Sequence, residues 1–263
     1  MSLFAFLFLQ AAATHAVPAV LPPSGKWQVE YAKSSCIISR AFGEKPNVTL
    51  FGLKPAPYSD YLTMLIIQPS PKGRGVAGDA DIRLSSGFVP ERSTYSSVTA
   101  NGMRVTTISL QREALDALAR GDSIAVKAGK WVDVALQPTG FDKALKALED
   151  CEADLLVSWG FSREAQAAIA ERPKGTLRGL FRADDYPASA IAQGAGGSVG
   201  IRLRIEADGK INECTVIESS GNVDLDRQTC GLAKKRARYA PAVGHDGTPR
   251  WSFVFGRVTW RIE

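Results

Sequence analysis

The chain has 263 residues, of which 45% are hydrophobic, 22% charged and 8% aromatic. Those values exclude a disordered, collagenous or coiled-coil protein and leave room for one large domain or two modest ones. The net charge of +5 is a small surplus along the chain, not the concentrated basic face that nucleic-acid binding requires. There are only two histidines, His15 and His245, too few for most hydrolytic triads or zinc sites, so the composition points away from an enzyme.

No charged side chain occurs before Lys26. Leu3 to Leu9 is an apolar run, followed by Ala11-Ala12-Ala13 and Thr14-His15-Ala16. Small residues there fit signal-peptidase cleavage after Ala13 or Ala16. The rival reading is an uncleaved anchor over Ser2 to Pro22, against which Gln10, His15 and Pro18 weigh. Residues 1–16 are therefore expected to be a signal peptide or a short anchor, and the rest of the chain to be exported. Export lets Cys36, Cys151, Cys214 and Cys230 oxidise. None lies in a CxxC pair, so neither a thioredoxin-type site nor a zinc ribbon has support. Of the three connectivities, Cys36–Cys151 with Cys214–Cys230 is favoured, since each pair then falls within one expected domain.

Pro18 to Gly25 reads as an extended lead. Strand signals follow: Trp27 to Tyr31 alternates, Val48 to Phe51 is β-branched and aromatic, and Leu62 to Ile67 is apolar but for Thr63, as in a strand buried on both sides. Asp79 to Leu84, Val105 to Leu110 and Trp131 to Leu136 continue the pattern. Residues 112–120 form a helical stretch ending at Gly121, a good C′ residue. A second helix is expected from Phe141 to about Leu156, with Phe141, Leu145, Leu148 and Cys151 on its buried stripe. Residues 24–160 thus read as a β-rich, sandwich-like domain with a terminal helix. Residues 161–180 read as a linker, with a short helix over Arg163 to Glu171 broken at Pro173.

The tail, residues 181–263, has the clearest local code. Tyr186-Pro187 leads a short helix, Ala188 to Gln193. Val199, Ile201, Leu203 and Ile205 then alternate with Gly200, Arg202, Arg204 and Glu206, as in a half-buried strand. Asp208-Gly209 predicts a two-residue hairpin turn, and Ile211 to Ile217 the returning strand. Asp224 is placed to cap the next helix, with Asp226 in its first turn and Lys234, Lys235, Arg236 and Arg238 at its C-terminal end. Pro241 stops it, and a last strand spans Trp251 to Ile262. The order is helix, strand, strand, helix, strand, an α+β unit.

Few motifs carry chemistry. Gly73 to Gly78 matches a dinucleotide fingerprint as text, but Gln68-Pro69-Ser70-Pro71 precedes it and a strand follows, so it reads as a loop. Gly196-Gly197-Ser198-Val199-Gly200 opens a strand instead of turning one into a helix, so it is not a nucleophile elbow. His245 with Asp246 is too small a set for a metal, and neighbouring carboxylates such as Asp184-Asp185 rarely point together. The basic run at 234–238 is explained by the helix dipole. No cofactor or metal site is expected. On the last strand Trp251, Phe253 and Phe255 occupy one parity, and Val254, Val258, Trp260 and Ile262 the other. Such a strand is either covered on both faces or bulged, with Gly256 the natural place for a bulge. At a sheet edge its backbone can accept an extended peptide.

Residues 186–262 resemble the C-terminal domain of TonB, the bacterial energy transducer. The resemblance rests on Tyr186-Pro187, Gly197-Ser198-Val199, Ala207-Asp208-Gly209-Lys210 and Val216 to Gly221. It continues through Leu225-Asp226, Arg238 to Ala242 and Val258 to Ile262, in that order over 77 residues. It implies a periplasmic domain that grips an extended segment of an outer-membrane receptor or other envelope protein by strand addition. It also implies mechanical coupling in place of catalysis, with Cys214 and Cys230 resembling an added strand-to-helix disulfide. Carried over, the partner-binding residues are Asp184, Asp185 and Tyr186 before the first helix, with Phe253, Phe255, Arg257 and Thr259 on the last strand.

Transducers have a transmembrane helix with basic flanks and a long Pro-rich spacer. Here a domain with a radius of gyration of about 13–15 Å stands in the spacer's place and cannot act as a long tether. Three readings follow. The first is a periplasmic TonB-like binding module. The second is a transducer anchored in the inner membrane. The third is an exported hydrolase using residues 27–160, which would have no histidine between residues 17 and 244. A homodimer through the last strand is a further expectation for such an edge.

Overall fold

The computed structural model describes residues 18–262 apart from 33, 56, 58, 60, 71, 72, 74, 92 and 178. The expected signal segment lies outside the described residues, as does part of the Gly73–Gly78 motif. In the first half, β1 (Val20–Leu21), β2 (Gln28–Tyr31), β3 (Cys36–Phe42), β4 (Thr49–Pro55), β5 (Tyr61–Pro69), β6 (Val76–Leu84), β7 (Ser93–Ala100) and β8 (Met103–Gln111) precede α1 (Ala114–Ala119). Next come β9 (Ile124–Ala128), β10 (Val132–Leu136), α2 (Phe141–Ser158), α3 (Arg163–Ala167), β11 (Ile169–Glu171) and β12 (Lys174–Gly175). A 3-10 turn (Ala183–Asp185) leads into α4 (Ala188–Ala192), β13 (Gly197–Ile205), β14 (Ile211–Glu218) and α5 (Val223–Arg236). The chain closes with β15 (Tyr239–Ala240), β16 (Ala242–Gly244), β17 (Pro249–Arg250) and β18 (Ser252–Trp260).

The first ten strands form one sheet in the order β1-β10-β9-β6-β7-β8-β5-β4-β3-β2, so the sandwich expected for this region is corrected to a single half-barrel sheet. Its apolar face is covered by α1 and α2, which supply the layer that a second sheet would supply in a sandwich. Alternating patterns mark an apolar face without saying which element covers it. Residues 20–24 stitch the two sides together. β1 runs parallel to β10, Gly43 N donates to Pro22 O at 2.8 Å, and Ser24 N to Ala41 O at 2.9 Å. On the inner face Phe51, Leu53, Met64, Ile66, Ile108 and Leu110 are fully or almost fully buried. Phe141 opens α2 against Trp27, their ring centroids 5.3 Å apart, and Trp27 Nε1 donates to Thr139 O at 3.0 Å. Cys36 and Cys151 form a disulfide that ties β3 to the buried stripe of α2.

β5 was expected to be buried on both sides. It alternates instead, with Leu62, Met64 and Ile66 buried and their neighbours Thr63, Leu65 and Ile67 half-buried. The helix expected over Arg163 to Glu171 ends at Ala167, and β11 follows. β11 pairs with β16 and β12 with β15, so the stretch expected as a linker is hydrogen-bonded to the tail.

In the tail a three-stranded sheet, β14-β13-β18, carries α5 on one face. Val199, Ile201, Leu203 and Ile205 all point to that helix and are fully buried. Cys214 and Cys230 form the second disulfide, from β14 to α5. The hairpin holds a three-residue loop, not a two-residue one. Glu206 O accepts from Gly209 N, Glu206 N donates to Lys210 O, and Gly209 sits at φ +79°, the left-handed position that closes such a loop with a bulge. The cap of α5 is Asn222 and not Asp224: Asn222 Oδ1 accepts from the backbone of Asp224 and Leu225 at 3.0 and 3.2 Å.

Candidate protein-binding edge

Among the described residues β18 is an edge strand, with β13 as its one neighbour in the sheet. The β13–β18 register runs without a shift from Gly197 opposite Trp260 to Ile205 opposite Ser252, so Gly256 makes no bulge. Its two apolar parities have another cause, which is cover on both faces. Val254, Val258 and Trp260 join the core under α5, and Leu177 packs over Gly256 so closely that a Cβ there would lie 2.1 Å from its Cδ1. Phe253 and Phe255 face the N-terminal half and form a third cluster with Leu156 and Phe161. Phe255 stacks on Trp159 with centroids 5.1 Å apart, and Phe253 meets Phe161 edge-on at 5.9 Å.

This cover divides the strand. Ser252 to Phe255 are all buried, on both parities, at 0% to 9% exposure. From Gly256 onward the strand emerges: Arg257 and Thr259 are exposed and alternate with buried Val258 and Trp260. The side chains of Phe253 and Phe255 are thus committed to internal packing, while Arg257 and Thr259 are open to solvent. Thr259 Oγ1 and Ser198 Oγ are hydrogen-bonded at 2.9 Å, and Arg257 pairs with Glu218, which also pairs with Lys54 of β4. That triad bridges the tail to the N-terminal sheet.

The segment before α4 is held firmly. Arg236 grips both carboxylate oxygens of Asp185, at 2.7 and 2.5 Å, and also donates to Leu180 O at 2.7 Å. The Arg236 guanidinium holds the Asp185 carboxyl below its usual range. Tyr186 donates its hydroxyl to Ala195 O at 2.6 Å and sets its ring edge-on to Trp260, centroids 5.2 Å apart. Asp184 is exposed beside them. The structure therefore brings Tyr186 to the end of β18 through Trp260, ties Asp185 to the end of α5, and leaves Asp184 to solvent. Trp260 is itself fixed by its Nε1 donating to the buried Thr229 Oγ1 at 2.9 Å. Trp159, Phe161 and Lys54 were missed from the sequence, where they carry no signal beyond ordinary strand and helix residues.

Among the described residues no helix is long and apolar enough to cross a membrane. Residues 182–257 match the family described as the Gram-negative bacterial TonB protein C-terminal domain. No curated protein matches the chain. The tail accordingly carries a TonB-family C-terminal domain.

Proposed function

We propose that the chain is a periplasmic TonB-like module that engages an extended segment of an outer-membrane or other envelope protein by strand addition to β18. The observation that carries this reading is the far side of β18, which among the described residues no strand pairs and from which Arg257 and Thr259 are exposed, within a TonB-family domain. An edge strand presents a row of backbone donors and acceptors, and an extended peptide satisfies them. Arg257 and Thr259 are the side chains that would meet such a segment. Tyr186, and Phe253 and Phe255 within the packed half of the strand, would hold the edge in place.

The N-terminal half-barrel supports a compact module more than a spanning transducer. It meets the tail through the Phe253–Phe161 cluster and the Lys54–Glu218–Arg257 triad, and the stretch between the two is itself paired to the tail through β11 and β12. In this reading residues 1–16 are cleaved on export and the oxidising periplasm closes both disulfides.

Site-specific photo-crosslinking in living cells tests the reading, with the reactive group at Arg257 or Thr259 and at Thr94 as a control. Crosslinks from β18 alone to an outer-membrane protein are the expected result. Capture of only a second copy of the chain would make the edge a dimer interface, and capture of nothing would remove strand addition.

A further inference from the structure

The exposed half of β18 borders a second wall. A cleft of about 650 Å³ separates the end of this strand from the outward face of the N-terminal sheet. Arg257, Thr259 and Arg261 line one side, and Thr63, Thr107 and Ser96, on the neighbouring strands β5, β8 and β7, line the other. Among the described residues, the two ionisable side chains in this lining are both arginines, with no carboxylate beside them. Arg257 shares Glu218 with Lys54, so that triad keeps one positive charge. Arg261 is exposed, and no hydrogen bond or ion pair engages its guanidinium among the described residues.

Resting on the strand-addition reading above, we propose that this cleft selects an acidic segment, so that the partner's extended strand carries Asp or Glu on the face turned toward the N-terminal sheet. Arg257 and Arg261 have the same parity, and side chains two or four positions apart in an extended chain share a face. Carboxylates at i and i+4 of an added strand that runs on past Trp260 would thus meet both arginines, and opposite charges across a strand pair favour pairing. The hydroxyls of Thr63 and Ser96 supply donors to the same carboxylates from the opposite wall, where Thr107 Oγ1 already donates to Ser96 O at 3.2 Å. A strand that is apolar on this face would leave the Thr63 and Ser96 hydroxyls and the Arg261 guanidinium without partners in a narrowed cleft.

The test uses the full mature chain and a displayed library of random ten-residue peptides. Peptides selected on the chain are expected to be enriched in Asp and Glu at positions i and i+4. They are expected to bind roughly three- to fivefold more weakly to Arg261→Gln or Arg257→Gln, the size of a partly exposed ion pair, and more weakly still as salt rises. Unchanged thermal melts verify that each variant is folded. The selected peptides are then crosslinked from photo-reactive groups at Thr259 and, separately, at Ser96. Capture from both positions supports the acidic cleft. Capture from Thr259 alone, or selection without acidic enrichment, overturns the cleft and leaves strand addition standing. Capture from Ser96 alone, or selection of no peptide, overturns strand addition and the cleft with it.

Discussion

Asp185 and Arg236 join through both carboxylate oxygens, at 2.7 and 2.5 Å, so the turn that enters the tail is bolted to the last turn of α5. A backbone bond from Arg182 N to Asp185 Oδ2, at 2.8 Å, completes the bolt. An acidic residue that reads from the sequence as a contact for a partner is thereby spent on internal geometry. Its neighbour Asp184 keeps its carboxylate exposed.

The first prediction concerns acid. Arg236 lowers the Asp185 carboxyl below its usual value, so the folded state holds the proton less tightly than the unfolded chain does. Stability from this group is fully present above about pH 4, the ordinary carboxylate value, and is lost as pH falls from there through the folded value. Asp246, held at about 2 by Thr248 and Arg250, acts with the same sign over a window reaching down to that value. Asp185→Asn should flatten the acid limb of a melting-temperature profile below about pH 4 and lower the plateau at neutral pH. An acid limb identical to that of the unsubstituted chain would show that the pair does not hold the turn.

The disulfides give a second prediction, graded by loop length. Cys36 and Cys151 are 115 residues apart and Cys214 and Cys230 only 16. Constraint of the unfolded chain scales with the logarithm of loop length, giving about 5 kcal/mol for the long loop and about 3 kcal/mol for the short one. Replacing both cysteines of each pair by serine should cost more at 36 and 151 than at 214 and 230. Denaturant midpoints of the two double variants measure the order, and equal losses would contradict the loop-length account.

Much of this architecture is legible in the sequence because it is local. Alternation set Val199 to Ile205 in a strand and turned their side chains to the helix, and helical spacing placed Cys151 on a buried stripe facing Cys36. What was not legible depends on partners far along the chain. Nothing in Phe253 or Phe255 says that Trp159 and Phe161 will cover them, so an edge strand open along its length and one open only beyond Gly256 read alike. The same limit hid the half-barrel, where alternating strands record an apolar face but not whether a sheet or α2 lies on it. Asn222 displaced Asp224 as the cap because either side chain can bond the first turn, and two residues of backbone decide which one does.

The cover over the first half of β18 leads to a third prediction. Phe161 is buried against Trp251 and Phe253, centroids 4.8 and 5.9 Å away. Phe161→Ala removes the ring that closes this side, at a cost of about 3–5 kcal/mol for a large buried aromatic. Amide hydrogen exchange at residues 252–255 should speed up while the inner strand β13 keeps its protection. If 252–255 stay protected in the folded variant, another part of the chain closes the edge.

Arg104 is the strongest local conflict in the N-terminal half. It is 2% exposed, donates from Nη1 to Ser97 Oγ at 3.1 Å and stacks on Trp131 at 4.0 Å, yet among the described residues its Nε and Nη2 have no partner. Thr99 Oγ1, on the facing position of β7, is buried and unpartnered as well. A cation–π contact returns about 2 kcal/mol when desolvated, less than the several kcal/mol that burying an uncompensated charge costs. The guanidinium is therefore held in place by the fold more than it holds the fold. Arg104→Met keeps most of the volume and the stack on Trp131 while removing the unpaired donors, so it should leave the denaturant midpoint unchanged or raise it. Arg104→Ala keeps neither the volume nor the stack and should lose about 2–4 kcal/mol to the cavity. The pair of variants separates packing from charge: a methionine variant that loses as much stability as the alanine variant would mean that the charge itself stabilises this end of the half-barrel.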